Sequence, residues 1–513
     1  MEQSRMPNWL ARQATLSPGK LALIAGEVRW TFAELESRAR KLAQELARLG
    51  VGTGDRVAVL CQNGAHLVTL IHALMKRGAV LVPFNLRLSV SELAWQVQDV
   101  KPHLFFYDAA HERKAAGLLE RFPDLKAVQL EQVLEGRPLL RQTGHRDHSG
   151  ARHSECESHI LEYLDRNQVH CIIYTSGTTG KPKGAMLTYG NHWWSATGSA
   201  LNLGNLPDDR WLACVPLFHV SGLSILMRSV ILGIPMVLLP GFDPDEVNRV
   251  IEEEKVTIIS VVSNMLRRML EAQGNRPYPS HLRCVLLGGG PAPRTLLEAC
   301  AERGIPVVQT YGMTETASQV VTLPPHEALR KLGSAGKPLF SVELRIASDG
   351  EETAPGEVGE ILIRGPNVTA GYFGRPEETA KAIRDGWLHT GDLGYLDDEG
   401  FLYVLDRRHD LIISGGENVY PAEVEAVLSA HPHIVEAGVV GVPDEQWGQV
   451  PVAVVRVRDG VELDEQAVIA FCRERLASYK VPRKICRTEQ LPYNASGKLV
   501  RHQLRQWLLE GGL

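Results

Sequence analysis

From Thr31 the chain reads T-x-x-E, and apolar residues follow at Phe32, Leu35, Ala39, Leu42, Leu46 and Leu49, three or four positions apart. That spacing keeps one helical face apolar, and a Thr with a Glu three residues on satisfies two orphan amides reciprocally. A capped amphipathic helix ending near Gly50 is therefore predicted. RVAVLC (56–61), the helical pattern AHLVTLIHALMKRG and AVLVPF (79–84) come next. Continuous apolar runs belong to strands buried on both faces, so strand, helix and strand together predict a βαβ unit. The alternation continues to about residue 310 through CIIYT, WLACVPL, MVLLP, TIISVVS and CVLLGG, which predicts α/β layers around buried strands. Residues 136–160 break it, being polar and rich in His and Arg, and read as a surface excursion. From about 341, shorter runs with turn signals (SVELRIASDG, GEILIRG, GFLYVLDRR) predict β-rich structure followed by α+β, with a boundary near 406–410.

At 513 residues the chain has room for about three domains or subdomains. Apolar residues make up 44% and charged residues 22%, which suits a folded chain with a large core. The formal charge of -5, without a concentrated basic tract, gives no reason to expect a nucleic-acid partner, so an anionic small substrate would need local cations. Cysteines 61, 156, 171, 214, 284, 300, 472 and 486 include no CxxC pair and predict reduced cytoplasmic thiols, with neither a disulfide framework nor a zinc site. His145, His148, His153 and His159 lack other ligand types at fixed spacing and read as part of a solvated loop. The start, MEQSRMPNWLARQ, has no apolar signal core, and the longest apolar stretch, Val230 to Leu239, is about half a membrane span. A soluble, cytoplasmic protein without membrane insertion is expected.

Candidate chemistry begins at Tyr174-TSGTTGKPKG, directly after CIIY. Gly177, Gly180 and Gly184 permit close backbone approach, Thr175, Ser176, Thr178 and Thr179 offer hydroxyls, and Lys181 and Lys183 add positive charge. Such a loop suits a polyphosphate. Its spacing is not that of a Walker A loop. A second cluster, Gly288-Gly289-Gly290-Pro-Ala-Pro, ends one apolar run, and Tyr311-Gly312-Met313-Thr314-Glu315 closes the next. Ligands gather at the carboxyl ends of parallel strands, and the glycines would form a flat slot for a planar ring. Glu315 is a hard oxygen ligand appropriate to Mg²⁺. Either of these two clusters taken alone reads first as a loop.

The ordered set YTSGTTGKPKG, PLFHVSGL (216–223), YGMTE, GWLHTGD (386–392), LDRRHDLIISGGENVYPAEVE (405–425) and NASGK (494–498) resembles the adenylate-forming superfamily. That superfamily comprises acyl-CoA synthetases, nonribosomal-peptide adenylation domains and firefly luciferase, and the likeness covers essentially the full chain. It implies a large N-terminal domain, 1–406, of layered α/β subdomains plus a β-rich subdomain. A hinge at 407–410 would lead to a small mobile α+β C-terminal domain, 411–513. It also implies two reactions in one site: a carboxylate attacks the α-phosphorus of ATP, releasing pyrophosphate, and then the thiol of coenzyme A displaces AMP.

By the same resemblance, Thr175, Ser176, Gly177, Thr178, Thr179, Gly180, Lys181 and Lys183 hold the ATP phosphates, with Thr178 and Glu315 near Mg²⁺. Gly288, Gly289, Gly290, Thr310 and Tyr311 lie along adenine and the acyl group, with Gly312, Met313, Thr314 and Arg407 completing the nucleotide site. Asp392 accepts from the ribose hydroxyls. His219 and Ser221 belong to the acyl pocket, and Lys498 stabilises charge at the α-phosphate. His409 marks the hinge, and Gly415, Gly416, Glu417 and Asn418 serve the thioester step. The sequence departs from the wider pattern at Asp406, where many relatives have Gly, and at His409, where Asp or Lys is common.

Within the superfamily, SALNLG, DRWL, LLGGGPAP, YGMTETASQVVTL and KLGSAGKPLFS resemble the branch that ligates 2-succinylbenzoate to coenzyme A in menaquinone biosynthesis. The alternatives are another aryl or medium-chain acyl-CoA synthetase and a stand-alone amino-acid adenylation domain. The latter usually offers an Asp where this chain has Phe218-His219-Val220-Ser221, and no carrier domain follows Leu513. A catalytically dead nucleotide sensor would be expected to lose Lys498 or Glu315, and both are present. Arg228 lies in the otherwise apolar segment Gly222-Leu-Ser-Ile-Leu-Met-Arg-Ser-Val-Ile-Leu. It should face either solvent or a buried anion, such as a second substrate carboxylate held directly or through water. A homodimer or larger homo-oligomer is compatible with the sequence.

Overall fold

The structure, a computed structural model, describes residues 4–135, 160–175, 182–289, 292, 294–348, 350–406, 411–419, 421–458, 460–492, 499 and 501–510. The capped helix forms as Phe32–Arg48. Thr31 Oγ1 accepts from the Glu34 amide at 3.2 Å, and Glu34 Oε2 accepts from the Thr31 amide at 2.9 Å. Its stripe of Phe32, Leu35, Ala39, Leu42 and Leu46 is fully buried and packs on the helix Ala65–Arg77. That second helix connects the parallel neighbours Arg56–Leu60 and Val80–Pro83, so the predicted βαβ unit is present. It belongs to a six-stranded sheet in the order Lys183–Thr188, Val169–Thr175, Val80–Pro83, Arg56–Leu60, Leu104–Tyr107, Ala127–Gln129.

A second sheet carries the parallel strands Leu21–Ala25, Met236–Leu238, Trp211–Ala213, Ile258–Val262, Cys284–Gly288 and Val307–Met313 side by side. The β-rich part expected from about 341 is present, but it is not a separate sheet. Ser318–Leu323 runs back antiparallel to Val307–Met313, and Ser334–Pro338 passes the hydrogen bonding on to Leu402–Asp406. Trp387–Leu396, Gly359–Arg364 and Glu343–Ser348 follow, giving one 15-stranded surface. Turn spacing in the sequence signals strands and cannot signal which edge they join.

Beyond residue 410 a smaller five-stranded sheet is centred on Gly448–Val457, beside Ile434–Asp444 and Lys484–Arg487. Val424, Leu428, Val468 and Cys472, from two helices, pack against its apolar face. This unit is docked on the start of the helix Val90–Val100. Lys480 Nζ reaches Glu92 at 2.9 Å and Glu423 at 2.7 Å, and Ser89 Oγ donates to the Arg475 carbonyl at 3.0 Å. No described helix is long and apolar enough to cross a membrane, and the seven described cysteines are buried and unpaired.

Candidate functional site

The strands Val169–Thr175 and Lys183–Thr188, on either side of the Gly/Thr-rich segment, pair antiparallel as the two arms of a hairpin, with Thr175 opposite Lys183. Gly184 is required by close packing there, because a Cβ would lie 2.5 Å from Ile172 Cγ2. Lys183 Nζ is 2.5 Å from Glu378 Oε2 on the helix Pro376–Ala382, so a phosphate arriving at this lysine competes with a carboxylate. Glu315 follows the strand Val307–Met313. Its Oε1 accepts from Tyr372 OH at 3.0 Å and lies 3.4 Å from Thr175 Oγ1.

The carboxyl ends of three parallel strands form the next wall. Val262 pairs with Gly288 in register, and Gly289, Thr310, Gly312 and Met313 continue it. Gly289 has φ +85°, and an added Cβ would sit 3.0 Å from Val262 Cγ1, so glycine serves both the turn and the close approach. Asp392, on Trp387–Leu396, is buried, and its Oδ2 accepts from Tyr311 OH at 2.6 Å. The sequence placed Tyr311 along adenine and the acyl group. In the fold its hydroxyl orients Asp392, and Tyr311 is among the residues lining a neighbouring cavity of about 760 Å³.

At the acyl end, His219 caps the helix Val220–Leu232, whose start folds so tightly onto Pro216 that a Cβ at Gly222 would lie 2.2 Å from the Pro216 carbonyl oxygen. Arg228, in the third turn, is 1% exposed. Its Nε and Nη2 have no hydrogen-bond partner among the described residues, its Cζ sits 5.1 Å from the Trp211 ring centroid, and it lines the same cavity as His219 and Ser221. Burial pushes this guanidinium down to about 10. Arg228 therefore does not lie on the protein's outer surface, the first of the two environments expected for it.

The small sheet supplies the last wall. Ile412–Ser414 and Glu417–Val419 are joined by Gly415-Gly416, with φ +59° and +84°, the two positive values of a type I′ turn. Glu417 is ion-paired to Arg87 and lies 3.3 Å from His219 Nε2. Burial works to raise its carboxyl, but His219 and Arg87 outweigh it and hold Glu417 below the ordinary glutamate value. All these walls face one cavity of about 1280 Å³, which Asn418 and Thr314 also line. Thr175, Lys183 and Arg228 all line it.

Residues 10–373 match the family described as AMP-binding enzyme, and residues 423–498 match the AMP-binding enzyme C-terminal domain. The chain belongs to the AMP-binding enzyme family. It is 55% identical to the 2-succinylbenzoate–CoA ligase of Geobacillus kaustophilus, over 98% of each chain. Among solved structures it resembles a double mutant of o-succinylbenzoate CoA synthetase from Bacillus subtilis bound with its product analogue OSB-NCoA. The identity is 46%, the coverage 98% of this chain and 99% of that one, and the TM-score 0.90. Against the Bacillus subtilis enzyme in complex with the acyl-adenylate intermediate OSB-AMP, the identity is again 46% and coverage 98% of each, but the TM-score is 0.74.

An AMP-binding enzyme handling ATP needs a place for Mg²⁺, and Glu315 fits one. Its carboxylate faces the cavity, its side-chain partners are two neutral hydroxyls, and it has no ion pair among the described residues. Bound there, Mg²⁺ would screen phosphate charge and favour octahedral oxygen coordination. Several expected residues lie outside the described ones: Ser176, Gly177, Thr178, Thr179, Gly180, Lys181, Gly290, Arg407, His409 and Lys498, together with His145, His148, His153 and His159. Sequence reasoning missed Arg87, Glu378, Tyr372 and the Lys480–Glu92–Glu423 group. Arg87 carried no signal, since it sits in an ordinary loop and meets Glu417 only across the two units.

Proposed function

We propose that this AMP-binding enzyme ligates 2-succinylbenzoate to coenzyme A through an acyl-adenylate, releasing AMP and pyrophosphate, as one step of menaquinone biosynthesis. Full-length likeness to 2-succinylbenzoate–CoA ligases supports the reaction. The observation that carries the choice of acid is Arg228, a buried cation without an acidic partner among the described residues, opening on the cavity. A substrate with two carboxylates fits: one is activated beside the phosphate hairpin while the other, still ionised, meets Arg228. A thioesterification screen over aromatic, fatty and dicarboxylic acids tests this. 2-Succinylbenzoate should be preferred, and efficient turnover of simple fatty acids would refute it.

In the first step Thr175 and Lys183 hold phosphate oxygens, Asp392 the ribose, and Lys498 the charge growing at the α-phosphate. Because two hydroxyls share one charged acceptor, Asp392→Ala should raise the Kd for ATP by about 10-fold or more, at about 1.5 to 3 kcal/mol per charge-assisted bond. The loss should be smaller for 2′-deoxy-ATP. Equal losses with both nucleotides, measured by titration, would remove the ribose role.

The second step uses another face of the small domain, reached by rotation about 407–410. Two likenesses at equal identity support this, since the TM-score is higher against the complex with the coenzyme A product analogue than with the adenylate. The difference is comparable with the fraction of the chain beyond residue 410. Here Gly416 closes on Val262, where an added Cβ would lie 3.3 Å from Val262 Cγ2, at the margin shared by the two cavities. The thiol arm would enter along that margin towards His219 and Glu417. Gly416→Val combines that contact with strain at positive φ, so thioester formation should fall about tenfold while ATP–pyrophosphate exchange stays near wild type. Equal loss in both assays would count against the assignment. Gly415 differs: its Cβ would lie 2.4 Å from Trp447 Cε3 within the small domain, so bulk there disturbs the turn itself.

A further inference from the structure

Beneath the phosphate hairpin lies a group of side chains that the reaction does not use. His170 and Cys171 are consecutive on the strand Val169–Thr175, and consecutive strand residues ordinarily point to opposite faces. The register shifts here: Cys171 lies opposite Leu187 but Val169 opposite Thr188, so His170 is the extra residue of a β-bulge. Bulges re-aim side chains, and this one brings His170 round to the Cys171 side. The His170 ring centroid is 4.9 Å from that of His192, on the helix Tyr189–Leu203, and 5.1 Å from that of Tyr189. One ligand atom each from His170, Cys171 and His192 lies within 4.8 Å of the others.

Three features make this unlike ordinary core packing. All three residues are buried, at 0%, 0% and 2% exposure. Both ring nitrogens of His170 and Nδ1 of His192 have no hydrogen-bond partner among the described residues, and the same holds for both nitrogens of the neighbouring His72. Finally, the buried hydrogen bond between Cys171 Sγ and His192 Nε2, at 3.6 Å, has the length of a shared-metal edge. A tetrahedral zinc with Zn–S of about 2.3 Å and Zn–N of about 2.0 to 2.1 Å has an S···N edge of about 3.5 to 3.6 Å.

We propose that His170, Cys171 and His192 form a structural Zn²⁺ site. Binding displaces the thiol proton to solvent: the Cys171 S–H bond breaks, the sulfur lone pair forms the Zn–S bond, and no electron is transferred. The thiolate offsets one of the two charges, and the Arg228 guanidinium opposes the remaining one. The ion would tie the strand that ends at Thr175 to the helix Tyr189–Leu203, fixing the root of the phosphate hairpin. The absence of CxxC spacing conceals such a site, because its third ligand arrives from 21 residues further on. With all ligands buried, metal enters before the core closes and leaves only when it opens.

The test is metal analysis of full-length protein refolded with Zn²⁺ and then dialysed against chelator. About one zinc per chain should be retained, released on denaturation, and lost in Cys171→Ser and in His192→Ala. Refolding wild type with Co²⁺ should give a near-ultraviolet thiolate-to-cobalt charge-transfer band, which does not depend on any variant folding. Folded wild type that retains no zinc, that gives no thiolate band with Co²⁺, or whose zinc is unaffected by Cys171→Ser would overturn the proposal.

Discussion

Replacing Lys498 by Ala is expected to lower acyl-adenylate formation by about 10² to 10³-fold while leaving thioester formation from supplied acyl-adenylate largely intact. In the first half-reaction the carboxylate attacks the α-phosphorus itself, charge builds on the oxygens of the five-coordinate centre, and a fixed cation aimed there contributes on that scale in a partly desolvated site. In the second half-reaction the reacting centre is the acyl carbon: the thiol gives up its proton and attacks there, negative charge builds first on the acyl oxygen, and the C–O bond then breaks with its electron pair leaving on AMP. Of the small domain, Gly416 closes on Val262, and Glu417 meets His219 and Arg87 at the cavity, so that surface and Lys498 are expected to serve in turn. ATP–pyrophosphate exchange reads the first step, and release of AMP from synthetic adenylate with coenzyme A reads the second. Equal loss in both would mean that one arrangement performs both steps.

How far the site was legible follows from what sequence patterns encode. Thr31 and Glu34 announce a helix start because capping is a local need, and the apolar runs announce buried strands because both of their faces must be covered. Gly289 and Gly415-Gly416 are legible because positive φ and close approach leave few other residues possible. By contrast, Arg87–Glu417 and Lys480–Glu92 join positions 330 and 388 residues apart. Nothing local distinguishes those charges from solvated ones. The Tyr311 hydroxyl on Asp392 likewise depends on the antiparallel strands continuing the parallel sheet, and the His170 bulge depends on a register that only pairing reveals.

Lys480 is the strongest example. It is held by two carboxylates at once, from Glu92 and Glu423, and is 4% exposed. Burial works to lower its affinity for a proton, but the two carboxylates outweigh it, so it stays charged, while burial raises Glu423. A buried cation with two anions gives little net stability over an apolar isostere and is costly to break from one side. Its consequence is therefore orientation: the group forms only where the two units meet as they do here.

Arg228→Leu should raise KM for 2-succinylbenzoate by about 10-fold or more, since a charge-assisted bond in a buried setting contributes about 1.5 to 3 kcal/mol. It should not destabilise the free enzyme. Arg228 sits within the apolar stretch Leu223 to Val230, has no ion pair among the described residues, and leaves Nε and Nη2 unpartnered. A leucine removes that desolvated charge and keeps most of the packing, so Tm is expected to hold or rise. This separates the two roles open to a buried arginine. A structural arginine would lower Tm on removal and affect all acids alike. A substrate anchor would leave Tm intact and change discrimination, penalising 2-succinylbenzoate relative to the analogue that lacks the ring carboxylate. The measurement is kcat/KM for both acids in wild type and variant, beside a thermal melt. An unchanged ratio would dismiss Arg228 as the anchor, while a ratio shifted towards the monocarboxylate at unchanged Tm would place the second carboxylate against this guanidinium, directly or through one water.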